Sequence, residues 1–145
     1  MNGTDVWREF ISPETIVQLH GEGMSRYGGL RSLPVEGCVE RSAGGAFSAS
    51  LYTAKNDPPT PLEIALPFAG YLLYYLAKNH CFSDGNKRIA WTATMHVLAH
   101  FGLTLTASQQ EAYELIDGVV TDRIEGGADV TLWLEQHLTA IGYEG

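Results

Sequence analysis

The most apolar stretch of the chain runs from Ile64 to Ala77, and its hydrophobic residues fall on nearly every side of a helical wheel. A helix that is apolar all round belongs in the centre of a protein. Its start is marked by Thr60-Pro61-Leu62-Glu63, a capping box with proline in the first turn. Pro67 predicts either a kink or a later true beginning. A second long helix is predicted from Gly85-Asn86 through Trp91, Met95, Leu98 and Ala99 to Gly102. Ser12-Pro13-Glu14 opens an earlier helix that carries Ile16, Val17 and Leu19 and should fail at Tyr27-Gly28-Gly29. Ser108-Gln109-Gln110-Glu111 is another capping box. Its helix puts Ala112, Leu115, Ile116, Val119 and Val120 on one face and Glu111, Glu114, Asp117 and Asp122 mainly on the other. Gly126-Gly127 ends it, and Asp129 can cap a last helix with Leu132, Trp133 and Leu138. Between Gly28 and Pro61 the breakers Gly44-Gly45 and Asn56-Asp57-Pro58-Pro59 predict loops with short helical pieces. Strand signals are scarce. The expectation is an all-α single domain over residues 1–145, a bundle of about six helices around the central apolar one.

Composition changes this picture little but narrows the function. The Ile64–Ala77 run is shorter than the ~18 residues a membrane span needs, and Pro67 and Gly70 interrupt it. The opening MNGTDVWREF has neither a basic start nor an apolar run, so no signal peptide is expected. The two cysteines, Cys38 and Cys81, form neither a disulfide framework nor a metal-knuckle spacing, and are expected to be free thiols in a reducing cytoplasm. The net charge of -8 disfavours direct nucleic-acid binding, which needs a broad cationic footprint. That charge is uneven. Residues 1–102 hold nine acids and eight bases, whereas residues 103–145 hold eight acids and only Arg123. An anion site is therefore expected in the first part.

The break between the two long apolar helices reads His80-Cys81-Phe82-Ser83-Asp84-Gly85-Asn86-Lys87-Arg88. A loop entering a helix N-terminus offers unpaired backbone N–H groups at the positive end of a dipole. Gly85 lets backbone approach an anion closely. Lys87 and Arg88 add positive charge beside those amides. Asp84 would repel phosphate unless it holds Mg²⁺, which commonly bridges a carboxylate and phosphates. His80 is a candidate general base. Phe82 is expected to be a buried peg that fixes the loop. The set suits deprotonation of a hydroxyl and transfer of a phosphoryl or nucleotidyl group.

This stretch resembles the signature of the Fic/Doc superfamily, and more closely its Doc branch, whose pattern is H-x-F-x-D-x-N-K-R. His80, Phe82, Asp84, Asn86, Lys87 and Arg88 match every fixed position. Ile11-Ser12-Pro13-Glu14 resembles the family's opening helix, and Arg26-Tyr27-Gly28-Gly29-Leu30-Arg31 the loop after it. The likeness covers residues 11–140. It implies that His80 is the general base, that Asp84 holds Mg²⁺ on the nucleotide, and that Gly85, Asn86, Lys87 and Arg88 form the anion hole. Most Fic enzymes, which transfer AMP, have glycine at the position of Lys87 and a second arginine at that of Trp91. Both departures point to Doc, and Lys87 fills space in a way that can turn ATP round. The resemblance implies a toxin that uses Mg-ATP to phosphorylate a threonine of elongation factor Tu and halt translation, held off by an antitoxin whose disordered segment folds onto it. The alternatives are a Fic-type protein adenylyltransferase and a non-catalytic binding module on the same fold. The resemblance also implies a flap from Leu30 to Glu36 that docks target backbone, with Arg31 as a substrate contact.

Three further signals are set aside. His96 and His100 have zinc-ligand spacing but lack a third ligand. Tyr71, Tyr74 and Tyr75 are read as packing. Thr121-Asp122-Arg123-Ile124-Glu125-Gly126 fits the pattern of a self-inhibitory helix, but Glu125 falls at a predicted helix end and the arginine it would block is replaced by Trp91. His20 and His137 give no signal.

Overall fold

The structure, a computed structural model, describes residues 7–29 and 32–140. Six helices account for nearly all of its regular structure: α1 (Pro13–Tyr27), α2 (Cys38–Thr53), α3 (Pro61–Lys78), α4 (Asn86–His100), α5 (Gln109–Val120) and α6 (Gly127–Gln136). The all-α expectation holds. Two three-residue strands, β1 (Leu103–Leu105) and β2 (Leu138–Ala140), pair antiparallel and tie the end of α4 to the end of α6.

α3 is the axis. Ala65, Leu66, Phe68, Ala69, Leu72, Leu73, Leu76 and Ala77 are all buried, and α2, α4 and α6 pack around it. It starts where the capping box places it. The Thr60 hydroxyl accepts the Glu63 N–H at 3.3 Å, and the Glu63 carboxylate accepts the Thr60 N–H at 3.0 Å. Pro67 lies inside the helix and does not mark its beginning. The Ser108 box on α5 closes in the same way.

The stretch expected as loops contains α2, a helix of 16 residues. The glycine pair predicts a break, but the helix runs through it, packed along α3. A Cβ on Gly45 would lie 3.4 Å from the Tyr75 ring of α3, and Ser42, Ala43 and Ala46 are buried on the same side. Close packing against α3 offsets the ~1 kcal/mol that each glycine costs a helix. A second difference is smaller: α6 begins at Gly127, with Gly126 as its cap, and Asp129 lies in its first turn.

Glu63 does more than cap. Its carboxylate also accepts the backbone N–H groups of Lys55 at 2.8 Å and Asn56 at 3.1 Å, and the Asn56 side-chain amide at 2.6 Å. It thereby organises the whole turn between α2 and α3. The Asn56 amide first, and then the N–H groups of Thr60 and Lys55, hold its pKa down from 4.5 to about 2. A depressed carboxyl contributes stability above its unfolded pKa and loses it as pH falls through the folded one. The urea midpoint of the native sequence should therefore drop more steeply between pH 4.5 and 2 than that of Glu63→Gln. Parallel curves would mean that this carboxylate contributes no pH-dependent stability.

Candidate active site

The chemistry-bearing loop joins α3 to α4, and three parts of the fold hold it. The first is its own end. The Asn86 side chain accepts the Phe82 N–H at 3.1 Å and donates to the Phe82 carbonyl at 2.8 Å. This closes residues 82–86 into a ring on the start of α4. The Asn86 side chain is thus spent on the loop. Gly85 sits in the left-handed region with φ 78°, and its N–H is taken by the Asp84 Oδ1 at 2.8 Å. The helix ladder opens with Ile89 N–H donating to Gly85 O. The amides of Asn86, Lys87 and Arg88 precede it, without an intrahelical acceptor.

The second support is α1, through a residue whose sequence gave no sign of a role. His20 is buried, stacks on the Phe82 ring at 3.7 Å and 12°, and donates from Nε2 to the Asp84 carbonyl at 2.8 Å. Its signal was its place beside Ile16 and Met24 on the buried side of α1. A Cβ on Gly85 would lie 2.6 Å from Met24 Sδ. The Tyr27-Gly28-Gly29 loop closes from the same direction, with Gly29 against the Asp84 carboxylate.

The third support is α2, and it overturns the expectation of free thiols. Cys38, the first residue of α2, forms a disulfide with Cys81, their Cα atoms 5.4 Å apart. A separation of 43 residues says nothing about distance in space. The start of α2 packs on the loop, and that brings the sulfurs together. Asn79 donates to Ser42 Oγ at 3.0 Å, and Val35 N–H donates to the Cys81 carbonyl at 2.8 Å. His80, between these anchors, is exposed and has a positive φ of 49°. That conformation is uncommon for a side chain other than glycine, and such strain gathers at functional sites.

A cavity of about 480 Å³ opens over the loop, lined by His80, Ser83, Asp84, Gly85, Lys87 and Arg88 among others. Lys87 and Arg88 are exposed and, among the described residues, neither pairs with a carboxylate. Arg88 rests on the Tyr27 ring at 4.6 Å. Lys78 is different. It pairs with Asp122, which raises its pKa, so its charge is not available to the cavity. Asp84 supplies the cavity's carboxylate. One exposed carboxylate beside an anion cradle fits Mg²⁺ bound together with nucleotide phosphates, which fill the other positions. Among the described residues no group of three His, Cys, Asp or Glu side chains forms a cage of its own.

Arg31 and Leu30 lie outside the described residues. The rest of the expected flap runs along the loop. Ser32 Oγ lies 3.0 Å from Ser83 Oγ, and Leu33 and Val35 are exposed. Thr121–Gly126 is a turn beyond α5 and not a helix, with Arg123 bonded to Asp117 at 2.8 Å and the Glu125 carbonyl accepting from Tyr74.

Residues 10–98 match the model of the Fic/DOC family, a span that ends within α4 and contains the whole loop. The chain belongs to the Fic/Doc family. Among its relatives is the protein kinase doc of Escherichia phage P1, 31% identical over 114 residues, which is 79% of this chain and 84% of the relative. That likeness places the chain in the Doc branch of the family, as the Lys87 and Trp91 positions imply.

Two outcomes follow from how the Fic/Doc loop is held. Closing a 43-residue loop restricts the unfolded chain by about 4 kcal/mol in the chain-entropy account. Cys38→Ser, or reduction, should lower the unfolding free energy measured in urea by about that amount. An unchanged midpoint under reductant would show that the bridge does not form. Gly85→Ala should cost about 1–2 kcal/mol from its left-handed backbone alone, and more because the methyl meets Met24. Calorimetric melting of that variant measures the loss.

Proposed function

We propose that the chain is one catalytic domain, a protein kinase toxin of the Doc type that moves the γ-phosphate of Mg-ATP to a protein hydroxyl. The observation that carries this reading is the cradle itself. An exposed histidine, a carboxylate, a helix N-terminus and two cations converge on one cavity that can hold a polyphosphate. The kinship with a protein kinase favours phosphoryl over AMP transfer.

In this reading the N–H groups of Asn86, Lys87 and Arg88 and the Lys87 and Arg88 side chains bind the phosphates. Gly85 keeps the backbone close and Phe82 anchors the loop. Asp84 holds Mg²⁺, which when bound offsets phosphate charge. His80 takes the proton of the attacking hydroxyl. Its oxygen forms a bond to the γ-phosphorus, the bond from that phosphorus to the β,γ-bridging oxygen breaks, and ADP leaves. The backbone of residues 30–36 docks the target beside His80, with Arg31 as a contact. By resemblance the target is a threonine of elongation factor Tu, the outcome is arrested translation in the cytoplasm, and an antitoxin holds the toxin off.

Incubation with labelled ATP and elongation factor Tu tests this. Label should pass from γ-labelled and not from α-labelled ATP. His80→Ala should lower the rate by about 10²–10⁴-fold while ATP still binds. Transfer from α-labelled ATP would make the protein an adenylyltransferase. No transfer to any protein in a lysate would leave a binding module.

A further inference from the structure

The bridge between Cys38 and Cys81 fastens together two segments that meet beside His80. One is the root of the expected flap, where Val35, Glu36 and Gly37 lead into α2. The other is the loop that carries His80. Both neighbours of His80 are tied to α2. Asn79 donates to Ser42 Oγ at 3.0 Å, and Cys81 is bonded to Cys38. Between these ties His80 keeps a φ of 49°, a strained backbone for a side chain other than glycine, which persists only where the surroundings hold it. The flap itself is held lightly. Among the described residues 32–36, one backbone bond reaches the loop, from Val35 N–H to the Cys81 carbonyl at 2.8 Å, and one side-chain contact, from Ser32 Oγ to Ser83 Oγ. The phosphate cradle is held from other directions, by the Asn86 side chain and by His20 of α1.

We propose that this cysteine pair is a redox modification site, opened by a dithiol reductant and closed by a disulfide oxidant, that sets how firmly the flap and His80 are held. Its effect on phosphate transfer rests on the kinase reading above. The order of attack follows from burial. Cys38 is 6% exposed and Cys81 1%, and Cys38 adjoins the exposed end of the flap at Val35 and Glu36. A thiolate of the reductant attacks Cys38 Sγ, the bond between the two cysteine sulfurs breaks, and Cys81 leaves as a thiolate and takes a proton. The reductant's second thiolate then attacks its own sulfur in the mixed disulfide. Cys38 is released as a thiolate and the reductant keeps an internal disulfide, so two electrons have passed to the bridge. Cys38 is the first residue of α2, and the positive end of the helix dipole favours its departure as an anion. Ser42 Oγ, 3.7 Å from Cys81 Sγ, is already in place beside the new thiol. Opening leaves the junction on hydrogen bonds alone. The flap loosens and His80 is free to leave its strained conformation, so target docking and proton removal weaken while the phosphate cradle is untouched.

The whole chain, oxidised and after treatment with dihydrolipoic acid, tests this. A glutamyl endoprotease cuts after Glu36 and after Glu125, both exposed, and mass spectrometry follows the two cuts separately. Reduction should speed the cut after Glu36 by about fivefold or more, the lower end of coupling between two sites, and the cut after Glu125 by no more than about twofold. A bridge that only adds global stability speeds both alike, and that result, or an unchanged cut after Glu36, overturns the inference. In calorimetric titration the reduced chain should bind Mg-ATP as tightly as the oxidised one. It should pass phosphate to elongation factor Tu about fivefold or more slowly, by the same coupling. Cys38→Ser should match the reduced chain with and without the reductant. Equal transfer rates before and after reduction overturn the inference and leave the kinase reading standing. Loss of ATP binding or of helical circular dichroism on reduction also overturns it, because the bridge is then a staple for the whole fold. Absence of transfer in both states would sink the kinase reading, and the cut after Glu36 would still decide the redox site.

Discussion

The Asn86 side chain grips both backbone groups of Phe82, and the geometry of the cradle depends on that grip. With both bonds made, residues 82–86 form a ring seated on the first turn of α4. The ring sets the first turn of α4 in the cavity wall with His80, and the Phe82 side chain turns inward. There it meets His20, which in turn holds the carbonyl of Asp84. Each contact is ordinary in strength, about 1 kcal/mol for a hydrogen bond. Their value lies in closure, since one fixed loop conformation satisfies all of them together. The loop conformation is therefore set by the chain itself, and binding to the candidate site would not have to organise it.

Charge placement follows the same economy. By net charge alone, -8 disfavours a polyphosphate. Fields from exposed charges fade within about 8 Å at physiological salt, so local arrangement outweighs the total. The acids of the later part of the chain are partly committed: Asp122 to Lys78, Asp117 to Arg123, and Glu111 to its own helix cap and His137. Among the described residues Lys87 and Arg88 enter no such pair, and both line the cavity.

The central helix, both capping boxes and the position of the loop could be read from the chain because each rests on local rules: an all-round apolar wheel, an S/T-x-x-E box, a break before Gly85. What escaped reading depends on distant neighbours. Gly44-Gly45 looks like a stop until α3 is placed along α2, and then packing carries the helix through it. A single histidine in an amphipathic helix has many uses, and that of His20 appears only when Phe82 and the Asp84 carbonyl arrive 62 to 64 residues later. The motif names the residues of the loop, but not which of their groups face outward. Asn86 spends its side chain and Gly85 its amide on the loop itself.

The bridge between Cys38 and Cys81 has a practical meaning for the molecule. It is covalent, and it lies one residue from His80. The same sequence therefore exists as two chemical species, differing by two hydrogen atoms, whose difference sits beside the candidate base. Protein kept with dithiothreitol and protein kept without it are not two samples of one substance. Rates measured on each belong to different compounds, and the redox history of a sample is as much a part of its description as the sequence.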